Sequence, residues 1–285
     1  MFKKRTWKYI LISFCWLVSL GGVVVLMSFI EVKKAAVICK DVKVYIPGNQ
    51  YFIDKQEIDN IVNAHGLVGR NIDDINIQSL ESRLKANPFV QSAKVYEDMD
   101  GIIQVEISQR EPILRIMNQD NQDFYVDSHG LKIPLSENFT AMVLVANGFI
   151  EEPFNGTVDT LHTQLASDIY KTAEYIRRDS LWAAQIAEIY VNKDHEMELI
   201  PRVGNQRILL GDADSLDNKF HNLLVFYKKA LPQAGWGTYK IINIKYANQV
   251  VGVKNQLTKQ DSLAAKNAIK KDTTKMVKDT SQISN

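Results

Sequence analysis

The feature that most constrains this chain is a run of 22 residues, Tyr9 to Ile30, without a charged side chain and rich in Leu, Ile, Val and Phe. As a helix it would extend roughly 33 Å, enough for the hydrocarbon core of a bilayer. A cleaved secretory signal has a shorter apolar stretch, about 7 to 15 residues, and a small-x-small cleavage site. Met27, Ser28, Phe29, Ile30 and Glu31 offer no such site, so the reading is one uncleaved transmembrane helix at 9–30. Lys3, Lys4, Arg5 and Lys8 precede it with no acid among them, which places 1–8 as a cytoplasmic stub and the rest of the chain outside the cytoplasm. Trp7, Tyr9 and Trp16 are compatible with interfacial or lipid contact.

Charge is segregated although the formal net charge is only +1. The last 32 residues hold seven lysines against three aspartates, whereas residues 9–253 carry a net charge of −7. A body of that sign is a poor polyphosphate binder, which argues against a nucleic-acid partner. The two cysteines, Cys15 inside the apolar run and Cys39 beyond it, exclude a disulfide framework and a Cys-rich zinc site.

After a linker at 31–40, the exported part opens with an alternating strand, Asp41 to Ile46, closed by Pro47 and Gly48. Asp54 and Glu57 form a capping-box pattern with Ile53 and Ile58 at the staple positions, predicting a helix over about 55–65 with Gly66 as its stop. Ile77, Leu80 and Leu84 predict a second helix begun by Asn76 and halted before Pro88. Val90 to Glu97 and Ile102 to Ser108 read as a hairpin around Asp98 to Gly101. Three strands covered by two helices bury these faces most simply. Arg110, Glu111 and Pro112 then mark a boundary.

Strands are expected beyond it at Ile113 to Met117, Phe124 to Val126, Leu131 to Leu135 and Met142 to Ala146. Leu161, Leu165, Ile169, Ala173 and Ile176 have helical spacing, and strands at Ile186 to Val191, Met197 to Ile200 and Arg207 to Leu210 follow. Asp214 is read as the cap of a helix whose apolar face is Leu216, Phe220, Leu223, Leu224 and Tyr227. A hairpin of Tyr239 to Tyr246 and Gln249 to Val253 closes the body. From Lys254 the sequence has few large apolar groups and reads as a disordered tail, 254–285. The fold class is therefore α+β: a transmembrane helix, a β-α-α-β-β domain at 41–111, a second β-rich domain at 112–253, and a tail.

Chemistry is sparse. The five histidines are scattered, and no zinc-protease helix, G-x-S-x-G elbow, phosphate loop or S-x-x-K pattern occurs. Asp212, Asp214 and Asp217 fail as a calcium loop, because Asp217 and Leu223 stand where Gly and Glu are required. Glu151 with Glu152, and Glu196 with Glu198, read as surface acids rather than a glycosidase pair. Asn138-Phe-Thr140 and Asn155-Gly-Thr157 fit the glycosylation sequon at near-chance frequency. The reading is a non-enzyme with no metal, cofactor or small-molecule substrate.

In order and spacing the chain resembles the bacterial cell division family FtsQ/DivIB, from the span to Val253. The residues that carry this are Gly69, Asn71 and Ile72, then Leu80, Glu81 and Leu84, then Asn87 to Val90, Ala93, Val95, Val105 and Ile107, ending in Arg110, Glu111 and Pro112. This first part looks like a POTRA domain. Tyr125, Val126, Asp127 and Gly130 fit the hairpin that opens the family's second domain, and Leu210, Gly211 and Lys219 its late strand and helix.

The resemblance implies a scaffold at the division septum, single-pass in the cytoplasmic membrane, that recruits other single-pass divisome proteins (FtsB- or FtsL-like) and septal cell-wall synthesis proteins. It implies further that the last strand receives a partner strand, at Asn243, Ile244, Lys245 and Tyr246, matching the family's D-L-R-Y, and at Val250, Val251, Gly252 and Val253. Asn243, Lys245 and Val253 depart from the acid, arginine and tryptophan found in relatives, and Lys lacks the fork that grips a carboxylate bidentately. The rivals are another POTRA protein of polypeptide transport or envelope assembly, expected to carry POTRA repeats or a barrel, and a membrane-tethered cell-wall enzyme.

Overall fold

The structure is a computed structural model and describes residues 4–34, 37–48, 52–64, 66–246 and 249–255. The expected tail lies outside the described residues beyond Asn255.

The N-terminal helix α1, Lys4–Lys34, encloses the whole uncharged run. Its side chains are described at positions 7, 9 and 11–27, and all of these are exposed. Among the described residues no helix is long and apolar enough to cross a membrane. The chain divides into two compact units: 1–111 with 133–142 and 156–158, and 112–132 with 143–155 and 159–285.

In the first unit the order is β1 (Asp41–Tyr45), α2 (Lys55–Asn63), α3 (Ile77–Lys85), β2 (Val90–Glu97) and β3 (Ile102–Gln109). The sheet order is β1-β3-β2, with β1 parallel and β2 antiparallel to the central β3. Alternation puts Val95, Ile103, Val105 and Ile107 in one core with Ile58, Val62, Leu80 and Leu84 of the helices. Asp54 caps α2 by accepting the Gln56 N–H, and Asn76 caps α3 by accepting the Ser79 N–H. Ile53 and Ile58 are both buried as the staple requires. The capping box is only half made: the Glu57 carboxylate takes the Asn87 amide at 3.0 Å, tying α2 to the turn before β2. Cys39 is buried in this core, where desolvation raises its thiol pKa above the ordinary value.

The second unit is built on a ten-stranded sheet. Its strands are β4 (Pro112–Met117), β5 (Asp123–Asp127), β6 (Leu131–Ile133), β7 (Leu144–Gly148), β8 (Asp159–Thr160), β9 (Ile186–Val191), β10 (Met197–Pro201), β11 (Arg207–Gly211), β12 (Tyr239–Asn243) and β13 (Val251–Lys254). They lie in the order β13-β12-β11-β10-β9-β7-β4-β5-β6-β8. Helices α4 (Gln164–Arg178), α5 (Ser180–Gln185), α6 (Leu216–Lys229) and α7 (Leu231–Ala234) complete the unit. Ile169, Ala173, Ile176, Phe220, Leu223 and Tyr227 share a core with Ala146, Ile189, Leu199, Ile208 and Ile242 of the strands. By register, the opposite face carries Tyr190, Glu198, Arg207, Leu209, Ile241, Asn243, Val251 and Val253.

Several sequence expectations are corrected here. β6 stops at Ile133 because Pro134 has no N–H for a ladder. β7 starts two residues later than read, since Met142 stands fully exposed, and it ends at Gly148. Ser215, not Asp214, occupies the N-cap of α6, with φ +53° and no side-chain bond. Asp214 N–H and the Lys219 ammonium instead both bond the Asp212 carboxylate, which the two donors hold below the usual carboxylate range. A protein cation therefore already sits on the aspartate that opens the would-be calcium loop.

Gly148 has φ +101°, and a Cβ there would stand 2.2 Å from the Val191 carbonyl oxygen. Backbone must move to admit it, so Gly148→Ala should lower unfolding free energy by about 2 kcal/mol or more, measurable by thermal denaturation.

Candidate protein-binding site

At one end of the ten-stranded sheet lies the hairpin of β12 and β13. β12 is parallel to β11 on its inner side, with Arg207 opposite Ile241 and Leu209 opposite Asn243. β13 is antiparallel on its outer side, with Ile241 opposite Val253, Ile242 opposite Gly252 and Asn243 opposite Val251. β12 ends at Asn243 rather than Tyr246, because the Asn243 side chain accepts the Lys245 N–H and turns the chain, while Ile244 still donates to the Leu209 carbonyl at 3.0 Å.

Backbone direction follows from two bonds. In an antiparallel ladder the N–H and C=O of one residue point to the same side, and the side alternates along the strand. Asn255 donates its N–H to the Thr238 carbonyl at 2.8 Å, toward β12. Val253 and Val251 therefore face β12 as well, and Gly252 and Lys254 present their N–H and C=O groups outward. The register irregularity in this pair falls at Lys240 on β12, leaving the alternation of β13 intact. Ile244 agrees, since its bond toward β11 sets Asn243 toward β13. Among the described residues no strand pairs with the outer side of β13.

Side chains divide along the same alternation. Val251 and Val253 are 42% and 48% exposed, on the face shared with Arg207, Leu209, Ile241 and Asn243. Gly252 points to the helical side, where a Cβ would stand 2.6 Å from the Tyr239 ring. That ring meets Phe226 of α6 edge-on at 5.1 Å, so the aromatic pair uses the space that a side chain at 252 would fill. Val250 packs on the core and Tyr246 is 52% exposed beside the turn. The Lys245 ammonium pairs with Glu196, which raises the lysine pKa, and its stem lies over Gly211. Arg207 pairs with Glu198 and lies 5.5 Å from the Tyr190 ring centre.

The structure thus brings all eight sequence-derived positions to one sheet end, but it buries Ile244 wholly in the core and packs Val250 against that core, so neither of these two side chains is presented to a partner. Sequence reasoning missed Lys254, Tyr239 and Glu196. The first was assigned to the tail, although alternation from Val251 would have reached it; the Glu196 pairing spans 49 residues and leaves no local signal. Other edges are built differently. Glu81 accepts the Val95 N–H at 2.9 Å on β2, β8 has only two residues, and β1 lines a groove with Ile53, Lys55, Asp59 and Val62. Among the described residues no group of three His, Cys, Asp or Glu side chains is placed to hold a metal.

Residues 111–253, half of the chain, match the family described as FtsQ/DivIB, C-terminal related. The chain belongs to the FtsQ/DivIB family. Residues 37–108 match the POTRA-like domain, in agreement with the β-α-α-β-β order of the first unit. No curated protein matches the chain. Family membership assigns it a part in cell division, in a family of generally non-enzymatic, interaction-based division proteins.

Proposed function

We propose that this FtsQ/DivIB protein is a membrane-anchored scaffold of the division septum that holds partner proteins by accepting an extended segment on the outer edge of β13. The observation that carries the reading is the outward pair of backbone donors and acceptors at Gly252 and Lys254, in the strand with which the family match ends. An added strand satisfies those groups, and its side chains meet Val251 and Val253 on the open face. Asn243, Lys245 and Tyr246 lie beyond the hairpin's inner pair and supply polar and aromatic contacts. Lys245 is engaged with Glu196 inside the chain, so a partner carboxylate competes for it rather than finding a free cation. Anchoring is assigned to the uncharged run within α1, whose exposed apolar side chains call for a nonaqueous surrounding, with the basic stub in the cytoplasm. The partners are other single-pass division proteins, and the domains are taken as 41–111 and 112–253.

Lys254→Pro removes one outward donor and leaves the inner ladder of Val251 and Val253 in place. Tagged full-length variant isolated from dividing cells should retain at most about a tenth of the wild-type partner yield, the ratio expected for one lost backbone bond. Undiminished capture with wild-type circular dichroism would remove β13 as the site.

A further inference from the structure

Within the second unit a charged group is buried that the strand-addition site does not use. Lys132, in β6, is 1% exposed, and Glu152, after β7, is 0%. The Lys132 ammonium directs its three protons to Glu152 Oε1 at 2.7 Å, the Pro153 carbonyl at 2.8 Å and His162 Nδ1 at 3.2 Å. Because an ammonium only donates, His162 must accept at Nδ1, which leaves Nε2 carrying the ring proton. That proton lies toward Asp159 Oδ2 at 3.2 Å. Asp159 is in β8, opposite Lys132 in the register, so the imidazole bridges the edge strand to the buried ammonium. Glu152 is filled on its other side by the His162 N–H, the Thr163 N–H and the Thr163 hydroxyl at the start of α4.

We propose that His162 is a proton-operated latch that holds edge strand β8 against the buried Lys132–Glu152 pair and releases it when the ring takes a second proton. The two nitrogens are 3.2 Å apart and cannot both carry a proton on the line between them. Protonation of Nδ1 therefore breaks the bond to Lys132 and sets two cations side by side. The charged groups facing the ring are Lys132 of β6, Glu152 after β7 with its Oε1 3.7 Å from Nδ1, and Asp159 of β8. The ammonium opposes the imidazolium and the carboxylates favour it. The ring thus keeps Asp159 and gives up Lys132, and with 49% exposure it has room to turn toward water. Lys132 loses one of three acceptors in a dry site, and the short β6–β8 pairing, two residue pairs long, is left with only the longer direct contact of the ammonium to Asp159 Oδ2 at 4.0 Å. The latch is closed while the ring is neutral and open once it is protonated.

Hydrogen exchange read by mass spectrometry on the detergent-solubilised full chain tests this, with rates corrected for the intrinsic effect of pH. Between about pH 7.5 and about pH 5.5, protection of the peptide spanning 156–163 should fall about tenfold while β4 and β5 hold theirs. His162→Asn keeps an acceptor near the Nδ1 position but does not titrate, so its protection should stay level. Asp159→Asn weakens the hold on the imidazolium, so its opening should move to lower pH. An equal fall in wild type and His162→Asn, no fall in wild type, or opening of Asp159→Asn at higher pH would each overturn the latch.

Discussion

Replacing Lys132 with Ala should lower the melting temperature by about 10 °C, the largest stability effect expected of one side chain in this protein. Glu152 lies wholly inside the second unit, where burial pushes its carboxyl pKa up. The Lys132 ammonium, the His162 and Thr163 N–H groups and the Thr163 hydroxyl outweigh that and hold it below the usual range. Without the ammonium an uncompensated buried charge remains, at a cost of about 3–5 kcal/mol. Lys132→Met with Glu152→Gln should recover part of the loss, since the cost comes from the stranded charge more than from the lost bond. The acid limb gives a second readout. A carboxyl lowered in the folded state contributes stability above its unfolded pKa, and that stability disappears as pH falls through the folded value. Wild type should therefore lose stability below about pH 4, and Lys132→Ala should show a flatter acid limb. Calorimetry over a pH series measures both.

Gly252→Val should abolish partner capture while leaving most of the fold intact. The new Cβ falls 2.6 Å from the Tyr239 ring, with Phe226 3.5 Å away behind it. Either the ring leaves Phe226 or β13 lifts from β12, and both displace the outward groups of Gly252 and Lys254. The core residues Ile208, Leu199 and Ile189 lie on β11, β10 and β9, none of which pairs with β13, so far-ultraviolet circular dichroism should change little. Adding Tyr239→Ala clears the obstruction, and capture should return to within about tenfold of the Tyr239→Ala single variant, a coupling of about 1 kcal/mol or more. Loss of capture that the second substitution leaves unchanged would mean the face of β13, rather than its position, is at fault.

The periodic parts of the fold were legible because periodicity reports burial directly. Leu80 and Leu84, and Ile169, Ala173 and Ile176 were placed on their helices by spacing alone, and all are buried. Asp54 and Asn76 were recognised as caps because cap chemistry is local. What escaped depends on residues far apart. Glu152 and Glu198 read as surface acids, yet both are buried, each paired with a cation on another strand, Lys132 of β6 and Arg207 of β11. Strand β8 has two residues and no pattern to detect, and α5 has one buried side chain, Trp182, too few to set a period. Asp214 was given the cap of α6 because a side-chain acceptor is the commonest device there, whereas Ser215 enters through a left-handed backbone turn. At the candidate hairpin the strand positions could be read, but which backbone groups face outward could not, since that needed the Asn255 to Thr238 bond.

The most direct test is residue-resolved amide exchange at β13, compared between the full-length protein alone and its complex with a septal partner purified from cells. Strand addition predicts that the Gly252 and Lys254 amides, which face away from β12, gain about tenfold or more protection in the complex, while the Val251 and Val253 amides, already bonded inward, change little. A stable complex in which Gly252 and Lys254 exchange as fast as in the free protein would contradict it.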